Sequence, residues 1–405
     1  MKRLTKDLLP APLVILLLAS GIAAASPFLE KSVLFEEGKD GFASYRIPGI
    51  IVTAKGTALA YCEARKYSGE DWGEIEIHLR RSTDGGRTWS PAKQVAHLGP
   101  RTVSHNPSGR RPKRPEGEPD EQTVNNPVAI AGRDGTVHFL YCIEYQRAFY
   151  MRSVDDGITW SKAVEITSAF DHYRSELDWQ IIATGPGHAI QLRTGRLVAP
   201  FWMKTTNQQA QFKGGIGVIY SDEDGKIWRR GGIALRDATE PNIAELADGR
   251  VLVTVRNSDP RHRRTVAYSR DGATGWSPPE FVDELLEPGC MAGMVSHPGI
   301  GEAKKPLLLF SNPHTTKPDH KDRVNVSIHA SEDGGRTWPV SKLLQPGPSA
   351  YSDLAVLPDG MILCFYESGT PEAALKHKRP WAYSDITLAR FNLEWLTNGS
   401  DQGTK

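Results

Sequence analysis

Cysteine is scarce, 4 in 405 residues, and its placement argues against a disulfide framework. Cys62, Cys142 and Cys364 sit inside strand-like apolar runs and Cys290 in a Gly-rich turn, so free, buried thiols acting as small hydrophobes are expected. No CxxC and no HExxH occurs, which removes the common zinc spacings. Charge of one sign is also lacking. With 49 Lys+Arg against 48 Asp+Glu, no global field draws the chain to nucleic acid or an anionic membrane, and any affinity for anions must be local. The apolar run Leu13–Leu18 is far short of the ~20 residues that span a bilayer, and no later run approaches that length. Lys2, Arg3 and Lys6 precede it and Ala23, Ala24 and Ala25 follow, the order of a secretory signal. Residues 1–25 are therefore read as a signal peptide, and 26–405 as one domain exported to the periplasm or beyond.

What is abundant is turn chemistry and tryptophan: 38 Gly, 28 Pro and 10 Trp, a composition that disfavours long helical bundles. The tryptophans fall into a repeat. STDGGRTW at 82–89, SVDDGITW at 153–160 and SEDGGRTW at 331–338 fit S-x-D-x-G-x-T-W, and SDEDGKIW at 221–228 and SRDGATGW at 269–276 are weaker copies. In the last, Ala273 and Gly275 stand where the pattern has Gly and Thr. Each copy follows a strand-like run, so it reads as a β-hairpin: Asp caps the turn, Gly takes a left-handed angle and Trp packs beneath. The first and last copies start 249 residues apart over four intervals, about 62 per unit, and about 380 residues then make close to six units. A unit of that size is one four-stranded antiparallel blade, and six make an all-β, six-bladed β-propeller. The charged, Pro-rich stretch Arg101–Glu121 and the basic cluster Lys376–Arg379 read as solvated surface loops, with a lid over an anionic substrate as the alternative for the first.

The repeats report fold, and a second set of segments carries the chemistry. These are YRIPG (45–49), CEARKYSGEDWG (62–73), TEPN (239–242), TVRN (254–257), DRVN (322–325), AYSDL (350–354) and FYES (365–368). Together with the repeats they resemble the sialidases, retaining glycoside hydrolases with a six-bladed propeller. The resemblance implies an exo-α-sialidase acting on sialylated glycans, with no metal or organic cofactor, and a monomer is expected. It places a carboxylate-binding triad on Arg46, Arg256 and Arg323, with Glu367 orienting Arg46. It also makes Tyr351 the nucleophile, Glu240 its base, Asp71 the acid/base, and Arg65 a pocket residue whose plainer reading is a salt bridge to Glu63 or Asp71.

Physical chemistry agrees with these residue types. Three guanidiniums beside apolar, strand-like sequence need acidic partners, and their planar forks suit a bidentate grip on a carboxylate. Glu70, next to Asp71, reads as a solvated neighbour. A related ulosonic acid as substrate, transfer to a sugar acceptor, and glycan binding without turnover stand as alternatives.

Overall fold

The computed structural model describes residues 26–101, 113–299, 305–315 and 323–399. The expected signal peptide, and 102–112 of the 101–121 loop, lie outside the described residues. Alternating apolar sequence and closely spaced turns give antiparallel sheets arranged as a β-propeller. Blade I comprises Ser44–Val52, Ala58–Arg65, Ile75–Ser82 and Lys93–Ala96, and blade II comprises Val124–Ala131, Val137–Ile143, Arg147–Ser153 and Val164–Glu165. Blade III is built on Leu197–Lys204, Gly214–Ser221 and Arg229–Arg236, with Ile181–Thr184 and Ile190–Gln191 as an interrupted inner strand. Blade IV comprises Ala238–Glu245, Val251–Asn257, Arg263–Ser269 and Glu280–Leu286.

The remaining sheet has seven strands because one of them, Val340–Val356, serves two blades. Its first half pairs with Val324–Ser331 and completes blade V with Gly293–His297 and Leu307–Pro313. Its second half pairs with Ile362–Ser368 and opens blade VI, which continues through Asp385–Phe391. The outer strand of blade VI is Leu29–Glu36, antiparallel to Asp385–Phe391, so the N-terminal strand closes the ring onto the C-terminal blade. The pairing thus resolves into six units built on four antiparallel strands, with Gly187–His188 added in parallel to Val124–Ala131 of blade II.

That closure explains why six blades carry only five repeats. Each repeat occupies the hairpin between the third and fourth strands of blades I to V, whereas in blade VI those strands come from opposite ends of the chain. Each repeat's Trp enters the apolar layer shared with the preceding blade: Trp89, Trp160, Trp228, Trp276 and Trp338 in turn. Between blades V and VI the C-terminal helix Leu393–Thr397 supplies Trp395 instead.

The turn chemistry is as the pattern demands, with one correction. Asp333 accepts from the Arg336 and Thr337 amides at 3.0 and 2.9 Å, and Trp338 Nε1 donates to Gly335 O at 3.2 Å. In the copy at 269–276, Gly272 (φ +69°) and Thr274 fill the Gly and Thr roles, not Ala273 and Gly275. The loop is one residue shorter between Asp and Thr, which moves both roles one position toward the Asp. In the copy at 221–228, Glu223 turns away to Arg229, and the Ser221 hydroxyl receives the Glu223 and Gly225 amides at 3.3 and 3.0 Å. All four cysteines are buried and unpaired.

Candidate active site

Strand direction sorts the residues before any distance is measured. Arg46, Glu240 and Tyr351 lie near the starts of innermost strands, and Arg65, Arg256 and Glu367 at the ends of second strands. Asp71 lies between second and third strands, and Arg323 immediately before a third strand. In an antiparallel blade all these places are at one end of the propeller, and the hairpin repeats at the other.

A backbone device recurs at that end. Ile47, Asn126, Gly185 and Glu240 all have positive φ (62°, 52°, 57° and 46°), and each is followed by proline. In blades I, II and IV the device coincides with a register shift in the inner strand, a bulge that frees one residue from the ladder and re-aims side chains toward the axis. A β-branched residue such as Ile47 is strained at φ 62°. The strain is offset locally: Glu367 Oε1 accepts both the Ile47 amide at 3.1 Å and Arg46 Nε at 2.6 Å.

Glu367 is completely buried, and its other oxygen accepts the Tyr351 amide at 3.2 Å. One carboxylate therefore fixes Arg46 by its Nε edge and the backbone that presents Tyr351. The Tyr351 hydroxyl donates to Glu240 Oε1. Arg256 Nη1 lies 2.9 Å from both Glu240 oxygens and 3.1 Å from the Tyr351 hydroxyl. The Arg323 and Arg46 guanidiniums lie 5.1 and 5.5 Å from the centre of the Tyr351 ring. Five expected residues, Arg46, Glu240, Arg256, Arg323 and Tyr351, thus meet at one phenol.

The electrostatics follow from burial and these contacts. Burial, and then the Glu240 carboxylate, push the Tyr351 phenol well above its ordinary value, with Arg256 and Arg323 opposing. Burial would raise Glu240 too, but Arg256, the Tyr351 hydrogen bond and Arg323 hold it below the ordinary value. The pair is a protonated phenol facing an ionised carboxylate, set among cations that would stabilise a phenolate.

Asp71 is the outlier, with its side chain 54% exposed on a loop. Arg65 is almost fully buried and makes both of the salt bridges named as its plainer reading: to Glu63 at 2.6 Å and to Asp71 at 2.9 Å. It also donates to Gly69 O at 2.6 Å, so it shapes the loop that carries Asp71. Glu70 pairs with Lys113 at 3.0 Å at the exposed surface. Arg101 is not a solvated loop residue: its side chain is 3% exposed and bonds Asp120 and Glu144 at 2.8 and 2.6 Å. The cluster 376–379 is exposed as expected except at half-buried His377, but Lys376 and His377 end the helix Pro371–His377 and pair with Glu37.

Several contributors escaped the sequence reading. The Tyr383 ring lies 4.0 Å beneath the Arg46 guanidinium, and its hydroxyl accepts from Arg323 Nη1 at 3.2 Å. Gly289 O accepts from Arg323 Nη2, and the loop carrying it is pinned by the buried Arg264–Glu287 pair, whose members bond Cys290 O and N at 3.0 Å. Two residues past Tyr351, buried Asp353 accepts from the Ile50 amide at 3.0 Å and pairs with His188 at 2.8 Å. Each acts through a partner distant in sequence, and only the proline following a positive-φ residue left a readable trace.

The fold and the convergent site define a β-propeller with hairpin repeats at one end and an arginine-rich polar centre at the other. The BNR repeat-like domain family matches residues 56–364, and the chain belongs to it. A sialidase of Micromonospora viridifaciens is 31% identical over 396 residues, covering 91% of this chain and 55% of that protein. A sialidase of Bacteroides fragilis is 31% identical over 357 residues, covering 82% and 61%; the chain thus spans little more than half of these two relatives. The solved structure of the Hadza microbial sialidase Hz136 superposes with a TM-score of 0.70 at 26% identity, covering 89% of this chain and 68% of that one.

Proposed function

We propose that the protein is an exo-α-sialidase that cleaves terminal α-linked sialic acid with retention, through a covalent Tyr351 intermediate. The observation that carries this is the Tyr351 hydroxyl seated on Glu240 among three arginines. A sialoside bears a carboxylate on its anomeric carbon, so an Asp or Glu nucleophile would approach against like charge, and a neutral phenol avoids that. Its high proton affinity requires a base in contact, which Glu240 supplies.

In the reaction, Arg46, Arg256 and Arg323 hold the substrate carboxylate, leaving C2 above the Tyr351 oxygen. Among the described residues Arg46 is hydrogen-bonded through its Nε, to Glu367, which leaves its terminal nitrogens available to the substrate carboxylate. Asp71 protonates the departing oxygen while Glu240 takes the phenolic proton and the Tyr351 oxygen bonds C2. Asp71 then deprotonates water, which attacks C2 and expels Tyr351, and Glu240 returns the proton. Two inversions give retention.

The test is hydrolysis of an aryl sialoside followed by NMR within the first minutes. The α anomer of the free sugar is expected first, and a first-formed β anomer would exclude the tyrosyl intermediate. Among the described residues no helix is long and apolar enough to cross a membrane. Export is inferred from residues 1–25 alone, and the secreted protein should begin near Ser26.

A further inference from the structure

A recess of about 260 Å³ adjoins the proposed site, bounded by Arg323, Pro348, Arg379, Pro380, Trp381 and Tyr383. Arg323 and Tyr383 are its shared wall with the carboxylate-binding side. Pro348 comes from the strand Val340–Val356, and Arg379, Pro380 and Trp381 come from the segment between Ile362–Ser368 and Asp385–Phe391, which includes the helix Pro371–His377. This segment is held firmly. Glu37, at the end of the closing N-terminal strand, accepts from Trp381 Nε1 at 2.8 Å and from Lys376 and His377. His377 stacks on Trp381 with ring centres 3.9 Å apart.

Within the basic cluster Arg379 is the residue that lines the recess. It is exposed, lies 4.9 Å from the Trp381 ring, and among the described residues has no carboxylate partner. A guanidinium at the rim of an aromatic and proline-lined recess can donate paired hydrogen bonds to an anionic, ring-shaped group.

We propose that this recess is an aglycone subsite that takes a second acidic sugar, its carboxylate on Arg379, so that the enzyme favours sialic acid linked to sialic acid. The proposal rests on the sialidase reading and deepens it. Position supports it: Tyr383, a wall of the recess, lies 4.0 Å beneath the Arg46 guanidinium and accepts from Arg323 at 3.2 Å, so the recess opens directly beside the arginines proposed to hold the substrate carboxylate. The leaving oxygen and the substrate carboxylate share one carbon, which directs the aglycone across the same edge. The positive rim and the Pro348–Pro380 wall supply charge and shape together.

The experiment compares three substrates: an α2,8-linked sialic acid dimer, the same dimer with the leaving-side carboxyl reduced to an alcohol, and an aryl sialoside. The native dimer should exceed the reduced one in kcat/KM by about tenfold, and Arg379→Gln should remove most of that ratio. The ratio should also fall as salt is raised. Lys378→Gln, which deletes an equal charge from the same exposed turn, should leave the ratio as it is. Equal rates on the two dimers, an unchanged ratio in Arg379→Gln, or an equal loss in Lys378→Gln would overturn the subsite while aryl sialoside cleavage stands. No cleavage of the aryl sialoside would overturn the sialidase reading and this inference together.

Discussion

The two ends of this propeller are built on opposite principles. At the repeat end the capping of each turn is local: Asp84 bonds residues two to four positions away, as do Asp155 and Asp333, and arginines of the preceding blade add longer-range pairs with Asp156, Asp224 and Asp271. At the other end almost every contact is long-range in sequence, with Arg46 on Glu367, Tyr351 on Glu240, and Arg323 on Gly289 and Tyr383. The first end can lose one copy's chemistry, as at Glu223, without losing the blade. At the second, each side chain depends on others from different blades, so a single loss propagates.

Substitutions should separate the ends sharply. Tyr351→Phe should lower kcat by about 10⁴-fold or more, because the proposed nucleophile is gone. Its thermal midpoint should stay close to that of the parent, since the ring and its packing remain; a large drop in midpoint would make Tyr351 a structural residue instead. Asp71→Ala should cost roughly 10²–10⁴-fold on natural glycosides and far less on aryl sialosides, whose leaving group needs no proton. Equal losses on both substrates would move the acid role elsewhere.

The pH profile sharpens the same contrast. Glu240 is held below its ordinary value of 4.5, so it is ionised at neutral pH and the acid limb of kcat/KM should lie below pH 4.5. Because the folded-state value is depressed, its contribution to stability is present above 4.5 and is lost as pH falls through the lower value. Glu240→Gln should therefore lose less stability than the parent between pH 5 and 3, and an identical acid transition would contradict the Arg256–Glu240 pairing. The smallest effect belongs to the other end. Asp333→Ala removes a turn cap and should cost about 1 kcal/mol, a shift of no more than ~2–4 °C in midpoint. Activity at 25 °C should not change, and a kinetic defect there would couple the two ends.

This division also governs how much was legible. Five turns of eight residues repeat because each must satisfy its own amides, so composition and spacing led to six blades. The sixth blade has no hairpin to carry a repeat, and its Trp395 substitute lies in a helix with a different local pattern. At the other end, Arg46, Glu240 and Tyr351 were found by resemblance of short segments, not from local physics. Ile47-Pro48, Asn126-Pro127, Gly185-Pro186 and Glu240-Pro241 form a weaker repeat that marks the inner strands. Tyr383, Gly289 and the Arg264–Glu287 pair left no trace, because their roles consist only of contacts across the fold.

The central claim is that a neutral phenol, activated by Glu240, bonds the anomeric carbon. It is tested most directly by incubating the protein with a 2,3-difluorinated sialic acid, whose fluorine at C3 slows release of the intermediate. Intact mass and then peptide mapping locate the adduct. The account expects one added sugar per chain, on the peptide containing Tyr351, and none in Tyr351→Phe. Full turnover of an aryl sialoside with no adduct, or an adduct on a carboxylate side chain, would contradict it.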